Sequence, residues 1–215
     1  CPTMLRNGFG EHKIQGIGDK HIPLIHNVMN GDVVVGVSDA SPTALDLLFN
    51  SRAGRAYLTA RRGIRPQLAG DLKLLGLSGI ANLVAAIKLA KRLDLGEDDL
   101  IVTVATDSAA LYASERAKLL ATHYPRGFDE VNAGEAFGQH LAGISDNDVL
   151  ELTHRERSRI FNLGYYTWVE QQGVPLADFD RRRPQEFWAG LQAAIPRWDA
   201  LIREFNAETG LNRPG

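Results

Sequence analysis

Ser78 stands in a glycine-flanked turn, "GLSGI" at residues 76–80, directly ahead of an apolar helical repeat. A hydroxyl in that place most often caps a helix by accepting from a first-turn N–H. The same position leaves it free to donate to a ligand, because helix N-termini attract polar and anionic groups. Asp107 and Ser108, which follow the run "LIVTVAT", read the same way: a cap, or a polar contact at the ligand edge of a sheet. A third stretch, "KIQGIGDKHIP" at 13–23, sets Gly16 and Gly18 one residue apart. A dinucleotide fingerprint would need a third glycine at position 21 and a helix beyond it. His21 occupies that position, and Pro23 opposes a helix start. What remains is a Gly-x-Gly turn where main chain approaches something closely, with no Cβ between.

Other reactive residue types form no constellation. Histidines 12, 21, 26, 123, 140 and 154 make no H-x-x-x-H pair and have no cysteine near them, so no zinc site is expected. "DND" at 146–148 lacks the glycine and terminal glutamate of a calcium loop. "RERSR" at 155–159 and "RRR" at 181–183 read as solvated faces, and Tyr165, Tyr166 and Trp168 as packing residues on a helix. Cys1 reads either as an N-terminal nucleophile or as the first residue of a cut chain. Pro2 beside it and the lack of a nearby hydroxyl or histidine cluster favour the second.

The elements that would position these residues follow from periodicity. "DVVVGVSD" at 32–39 and "DLIVTVATD" at 99–107 are β-branched runs expected as buried strands. Between them, "SPTALDLLFNSRAGRAYLTARRG" predicts a helix with Ser41 as N-cap and Pro42 at its first position. A second helix is predicted over 78–95, with Ile80, Leu83, Val84, Ile87 and Ala90 on one face and Gly96 as its stop. "SAALYASERAKLLATHY" is expected as a third. This order predicts an α/β layer: a largely parallel sheet with flanking helices over residues 1–122. Residues 123–215 show no convincing strand and are expected as a C-terminal helical extension, with helices near 147–172 and 184–208.

Composition narrows the function classes. The chain has 215 residues, 44% hydrophobic and 23% charged, with a formal net charge of −2. No basic field recruits nucleic acid or an acidic membrane. No apolar run approaches the roughly 20 residues that span a bilayer, and no signal peptide is visible. The single cysteine fits a reducing compartment, so a cytoplasmic protein is expected.

Three stretches, in order, carry a resemblance to a known family. "HKIQGIGDKHIP" resembles the Gln-Gly-Ile-Gly segment of the cysteine synthases and their relatives. "LLGLSGIANLVAAIKLAK" is similar to their Gly-Ile-Ser-Ser-Gly turn and following helix. "LIVTVATDSAALYASE" is similar to their late strand ending in Pro-Asp-Ser or Pro-Ser-Ser. Together they span about residues 1–116 and resemble the C-terminal half of a fold-type-II pyridoxal-phosphate enzyme, nearest the cysteine synthase and cystathionine β-synthase group.

The resemblance implies roles. Ser78 matches the serine that hydrogen-bonds the pyridine nitrogen of the cofactor, with Gly76 in the same turn and Asp107 near the far edge of the ring. Gly16, Ile17, Gly18 and His21 match the substrate side, where Asp19, Lys20 and His21 occupy positions that vary with the second substrate. Gly79-Ile80 replaces the family's Ser-Gly. A neutral hydroxyl at the ring nitrogen makes a milder electron sink than a carboxylate. That suits β-elimination or β-replacement on a serine- or cysteine-type amino acid. The implied alternatives are a dehydratase or ammonia-lyase of the same fold, or a non-catalytic half-chain interaction module. No lysine here stands in the family's Ser-x-Lys-Asp context, so the Schiff-base lysine is expected in a missing N-terminal half, and the chain alone is expected to be inactive. Family enzymes are commonly homodimers, and a dimer is expected on that ground.

Overall fold

The computed structural model describes residues 2–7, 12, 14 and 20–211, and the chain divides into two compact units. The first comprises residues 1–20 and 33–151, the second 21–32 and 152–215.

The first unit is helical around one small sheet. Its elements are α1 (Thr3–Arg6), β1 (Val33–Val35), α2 (Ala40–Asn50), α3 (Arg52–Arg62), α4 (Pro66–Asp71), α5 (Leu77–Arg92), α6 (Ala113–His123), α7 (Glu130–Phe137) and β2 (Val149–Glu151). β1 and β2 pair antiparallel, with Val33 opposite Glu151 and Val35 opposite Val149. The expected α/β fold with a largely parallel sheet is therefore not formed: among the described residues the sheet is this one two-stranded ribbon. Only three residues of "DVVVGVSD" pair as a strand, and their partner comes from a stretch expected to be helical. Among the described residues "DLIVTVATD" forms no strand pair and leaves Leu100, Val102 and Val104 exposed. β-branched content marks a segment that fits a pleated surface, but pairing decides whether a strand exists.

The helices follow their apolar stripes more closely. On α5, Ile80 and Val84 are buried, packed with Leu45, Leu48 and Phe49 of α2, Tyr57 and Leu58 of α3, and Ala133 and Ala136 of α7. The helix ends at Arg92, ahead of Gly96; Asp94 takes the left-handed conformation, φ 51°, while the Gly96 N–H donates to Asp99. The single helix expected over 41–63 is two. α2 stops at Asn50 and Ser51 caps α3, accepting from the Gly54 N–H at 2.9 Å. Gly54 makes the elbow possible, since a Cβ there would lie 2.0 Å from the Leu48 carbonyl oxygen. Ser41 lies inside α2 instead of capping it, and its hydroxyl meets His140 at 3.1 Å.

The second unit holds a 3-10 turn at Val28–Asn30 and helices α8 (His154–Tyr165), α9 (Leu176–Asp180), α10 (Gln185–Ala193) and α11 (Ile195–Glu208). α8 continues as a π-helix over Tyr166–Gln171. Thr153 caps α8, accepting from the Glu156 N–H. "RRR" at 181–183 is not a uniformly solvated face. Arg182 is buried, donates to the carbonyls of Leu24 and Phe179, and lies over the rings of Phe161 and Phe179. Burial pushes its pKa down, the neighbouring Arg183 adding to this. In the same unit Trp168 donates its ring N–H to the Ile22 carbonyl.

Candidate functional site

Gly76, Ser78 and Asp107, drawn from two separated stretches, meet at the N-terminus of α5. The Gly76 N–H donates to the Asp107 carbonyl at 2.9 Å. A Cβ on Gly76 would lie 2.0 Å from the Asp107 carboxylate and 2.9 Å from the Tyr112 ring. Gly76 has φ −78°, a value open to any residue, so close approach and not backbone conformation calls for glycine here. Ser78 is buried, 4% exposed, in the first turn of α5.

Tyr112 joins the three. Its hydroxyl donates to the Asp107 carboxylate, and the Ser78 hydroxyl lies close enough to act on it. Its pKa is pushed up to about 12, first by burial and then by the hydrogen bond to Asp107 and that group's charge; the Ser78 bond acts in the opposite direction. Ser78, Tyr112 and Asp107 thus form a short polar chain, closed by the Tyr112–Asp107 hydrogen bond. The Asp107 carboxylate also lies 3.3 Å from the Thr106 hydroxyl.

Around this chain the surroundings turn apolar and then open. Ile14, Leu77 and Ala81 form a small buried cluster, with Val37 and Tyr112 packed against it. Ile14, Val37 and Ala81 also line a cavity of about 680 Å³, together with His12, Asn82 and Lys88. That volume falls within the range of small-molecule sites. Lys88 is 9% exposed, and its ammonium donates to the Gly36 carbonyl at 2.6 Å. Burial lowers the pKa of His140, the partner of Ser41.

The other predicted residues are placed differently. Gly16, Ile17 and Gly18 lie outside the described residues. His21 belongs to the second unit, where its ring stands edge-on to Trp168 at 5.7 Å. Among the described residues no group of three or more His, Cys, Asp or Glu is arranged to hold a metal ion. No single helix among them is long and apolar enough to cross a membrane.

One member of the site, and one residue of the neighbouring cavity, are not legible as such in the sequence. Tyr112 carries no periodic signal, since its link to Asp107 passes through a 3-10 turn over Ala109–Tyr112. Lys88 did leave a trace: it continues the Ile80–Val84 spacing by one more turn, and a lysine on a buried stripe needs a reason.

For pyridoxal phosphate the fit is partial and specific. The serine suits a ring nitrogen, because its hydroxyl can donate to an incoming acceptor while Tyr112 stays anchored on Asp107. The space over Gly76 is filled by the Asp107 carboxylate, so that glycine offers no phosphate cradle. Among the described lysines, Lys88 is bonded to Gly36, Lys91 to the Ile144 carbonyl and Lys118 to Glu115, while Lys20 and Lys73 are exposed. Comparison with known proteins finds no matching family model, no matching curated protein and no matching solved structure.

Proposed function

We propose that this chain contributes the ring-nitrogen side of a pyridoxal-phosphate site to an enzyme of β-elimination or β-replacement on a serine- or cysteine-type amino acid. The convergence of Gly76, Ser78 and Asp107 at the start of α5 carries the reading. It rests on these side chains and not on a sheet.

When bound, the cofactor supplies the electron withdrawal that loosens bonds at the substrate's α and β carbons. The chain's own part is orientation. Ser78 offers a neutral donor to the ring nitrogen and does not hold it protonated. Tyr112, fixed by Asp107, fills one side of the serine and keeps water from it. The carbon-bond chemistry needs a lysine, and the reading assigns that residue to chain outside this cluster. The single cysteine supports a reducing, cytoplasmic setting, and family habit supports a homodimer.

The lack of a lysine at the cluster, among the described residues, favours one second reading: a non-catalytic module that lends this surface to another polypeptide. Equilibrium dialysis against pyridoxal phosphate, and against deoxypyridoxine phosphate, which has no aldehyde, tests the proposal. Both ligands are expected to bind weakly and alike, and Ser78→Ala to weaken both by about three- to ten-fold, the worth of one hydrogen bond. Absence of binding, or binding indifferent to Ser78→Ala, overturns the ring-nitrogen role. A visible absorbance that survives dialysis of the isolated chain overturns the placement of the lysine elsewhere.

A further inference from the structure

The segment between Gly96 and Asp107 is sparsely bonded and exposed. From Leu100 to Thr106 it forms neither helix nor paired strand, and among the described residues its main chain makes no main-chain hydrogen bond. One group is taken: the Val104 carbonyl accepts from Asn82 at 2.9 Å. Its side chains are as bare as its backbone. Leu100, Val102 and Val104 are 85%, 84% and 66% exposed, at the i, i+2, i+4 spacing that lines one face of a strand. β-branched residues fill most of the remainder, which favours pleated geometry over helix. Unpaired main-chain groups beside an exposed apolar row form a template for an added strand.

Charge selects the occupant. Glu97, Asp98 and Asp99 immediately precede the segment and make no ion pair among the described residues; the Asp99 carboxylate accepts only the Gly96 N–H. A second copy of the same segment is disfavoured. Paired parallel, it would set one acidic run against the other; paired antiparallel, it would set each run beside Asp107 of its mate. Like charges directly opposite destabilise a strand pair.

We propose that residues 100–106 accept an added β-strand from a different polypeptide segment, one with apolar β-branched residues at alternate positions and lysine or arginine at the end facing Glu97–Asp99. Main-chain hydrogen bonds give the attachment, the covered Leu100–Val102–Val104 row adds to it, and the acidic run sets the charge of the visitor. This surface ends beside Asp107, where Thr106 meets its carboxylate, and does not depend on the cofactor reading.

Two synthetic peptides test the inference, both alternating valine and threonine, one ended by lysines and the other by glutamates. Amide hydrogen exchange is followed residue by residue on the full chain, with sedimentation as the control for self-association. The lysine peptide is expected to slow exchange across 100–106 by about ten-fold or more. The effect should weaken with added salt and vanish in Val102→Pro, which removes a donor that bonds no main-chain group among the described residues. No slowing by the lysine peptide overturns the proposal, as does equal slowing by the glutamate peptide. Slowed exchange without peptide, in step with concentration-dependent dimerisation, overturns it in favour of a second copy.

Discussion

The hydrogen bond between Tyr112 and Asp107 sets the behaviour of the α5 N-terminus. Tyr112 donates to the Asp107 carboxylate as long as it keeps its hydrogen. Ionisation would reverse the tyrosine from donor to acceptor and face a phenolate with a carboxylate. Burial first, and then that lost hydrogen bond and facing charge, raise its pKa from 10.0 to about 12. A group whose folded pKa lies above its unfolded value contributes stability that is present below the unfolded pKa and lost as pH rises through the folded one. Stability followed by urea unfolding is therefore expected to fall between pH 10 and about 12, and to fall less steeply in Tyr112→Phe. Equal slopes for the two proteins would remove Tyr112 from the account. Ser78 was legible in the sequence as a helix-start hydroxyl, but its partner was not. Tyr112 follows Asp107 by five positions, and only the 3-10 turn between them brings the ring back to the carboxylate.

The joint between α2 and α3 shows what one glycine decides for two elements. The residues on either side could continue a single helix by propensity, and the apolar spacing runs through the joint. Ser51 instead takes extended geometry, φ −81° and ψ 157°, and caps the second helix. The chain then folds back so tightly that Gly54 meets the Leu48 carbonyl. Gly54→Ala would force main chain against main chain, with no flexible side chain to yield. It is expected to cost about 2–3 kcal/mol in urea unfolding, the range of an overpacked core site, against no loss for Gly70→Ala, where a Cβ meets open space. The signal for this break was present as Ser51 followed by Gly54, but helical periodicity outweighed it. The strands failed for a different reason. "DVVVGVSD" and "DLIVTVATD" look alike as sequences, yet only the first finds a partner, and that partner lies more than a hundred residues away.

Across the first unit, one buried ion pair ties distant parts of the chain. Asp46 of α2 is 2% exposed and receives the Arg116 guanidinium of α6 at 3.0 Å; Asn50 also donates to it. Arg116 donates in addition to the Ala109 carbonyl at 2.8 Å, which steadies the turn leading to Tyr112. Burial still wins over the pair: the Asp46 pKa is raised, desolvation exceeding the pull of Arg116 and the hydrogen bonds. Removing the arginine would strand a carboxylate in the interior. Arg116→Ala is expected to destabilise by about 3 kcal/mol, the usual consequence of breaking a buried pair from one side. Asp46→Asn in the same background should recover part of that loss, because an amide needs no counter-charge. If Arg116→Ala unfolds at the wild-type urea midpoint, the pair has no structural weight.

The sequence by itself determined α5 and the polar residue at its start. Ile80 and Val84 repeat within a single turn of chain, and Ser78 sits two residues from its glycine, so nearest neighbours suffice. The tertiary structure decided the rest: that β1 pairs antiparallel with β2, that 100–106 stays bare, and that Tyr112 closes on Ser78 and Asp107. Each of these depends on groups far apart along the chain or across a turn of irregular geometry. Strand propensity and hydroxyl content carry no record of which partner will arrive.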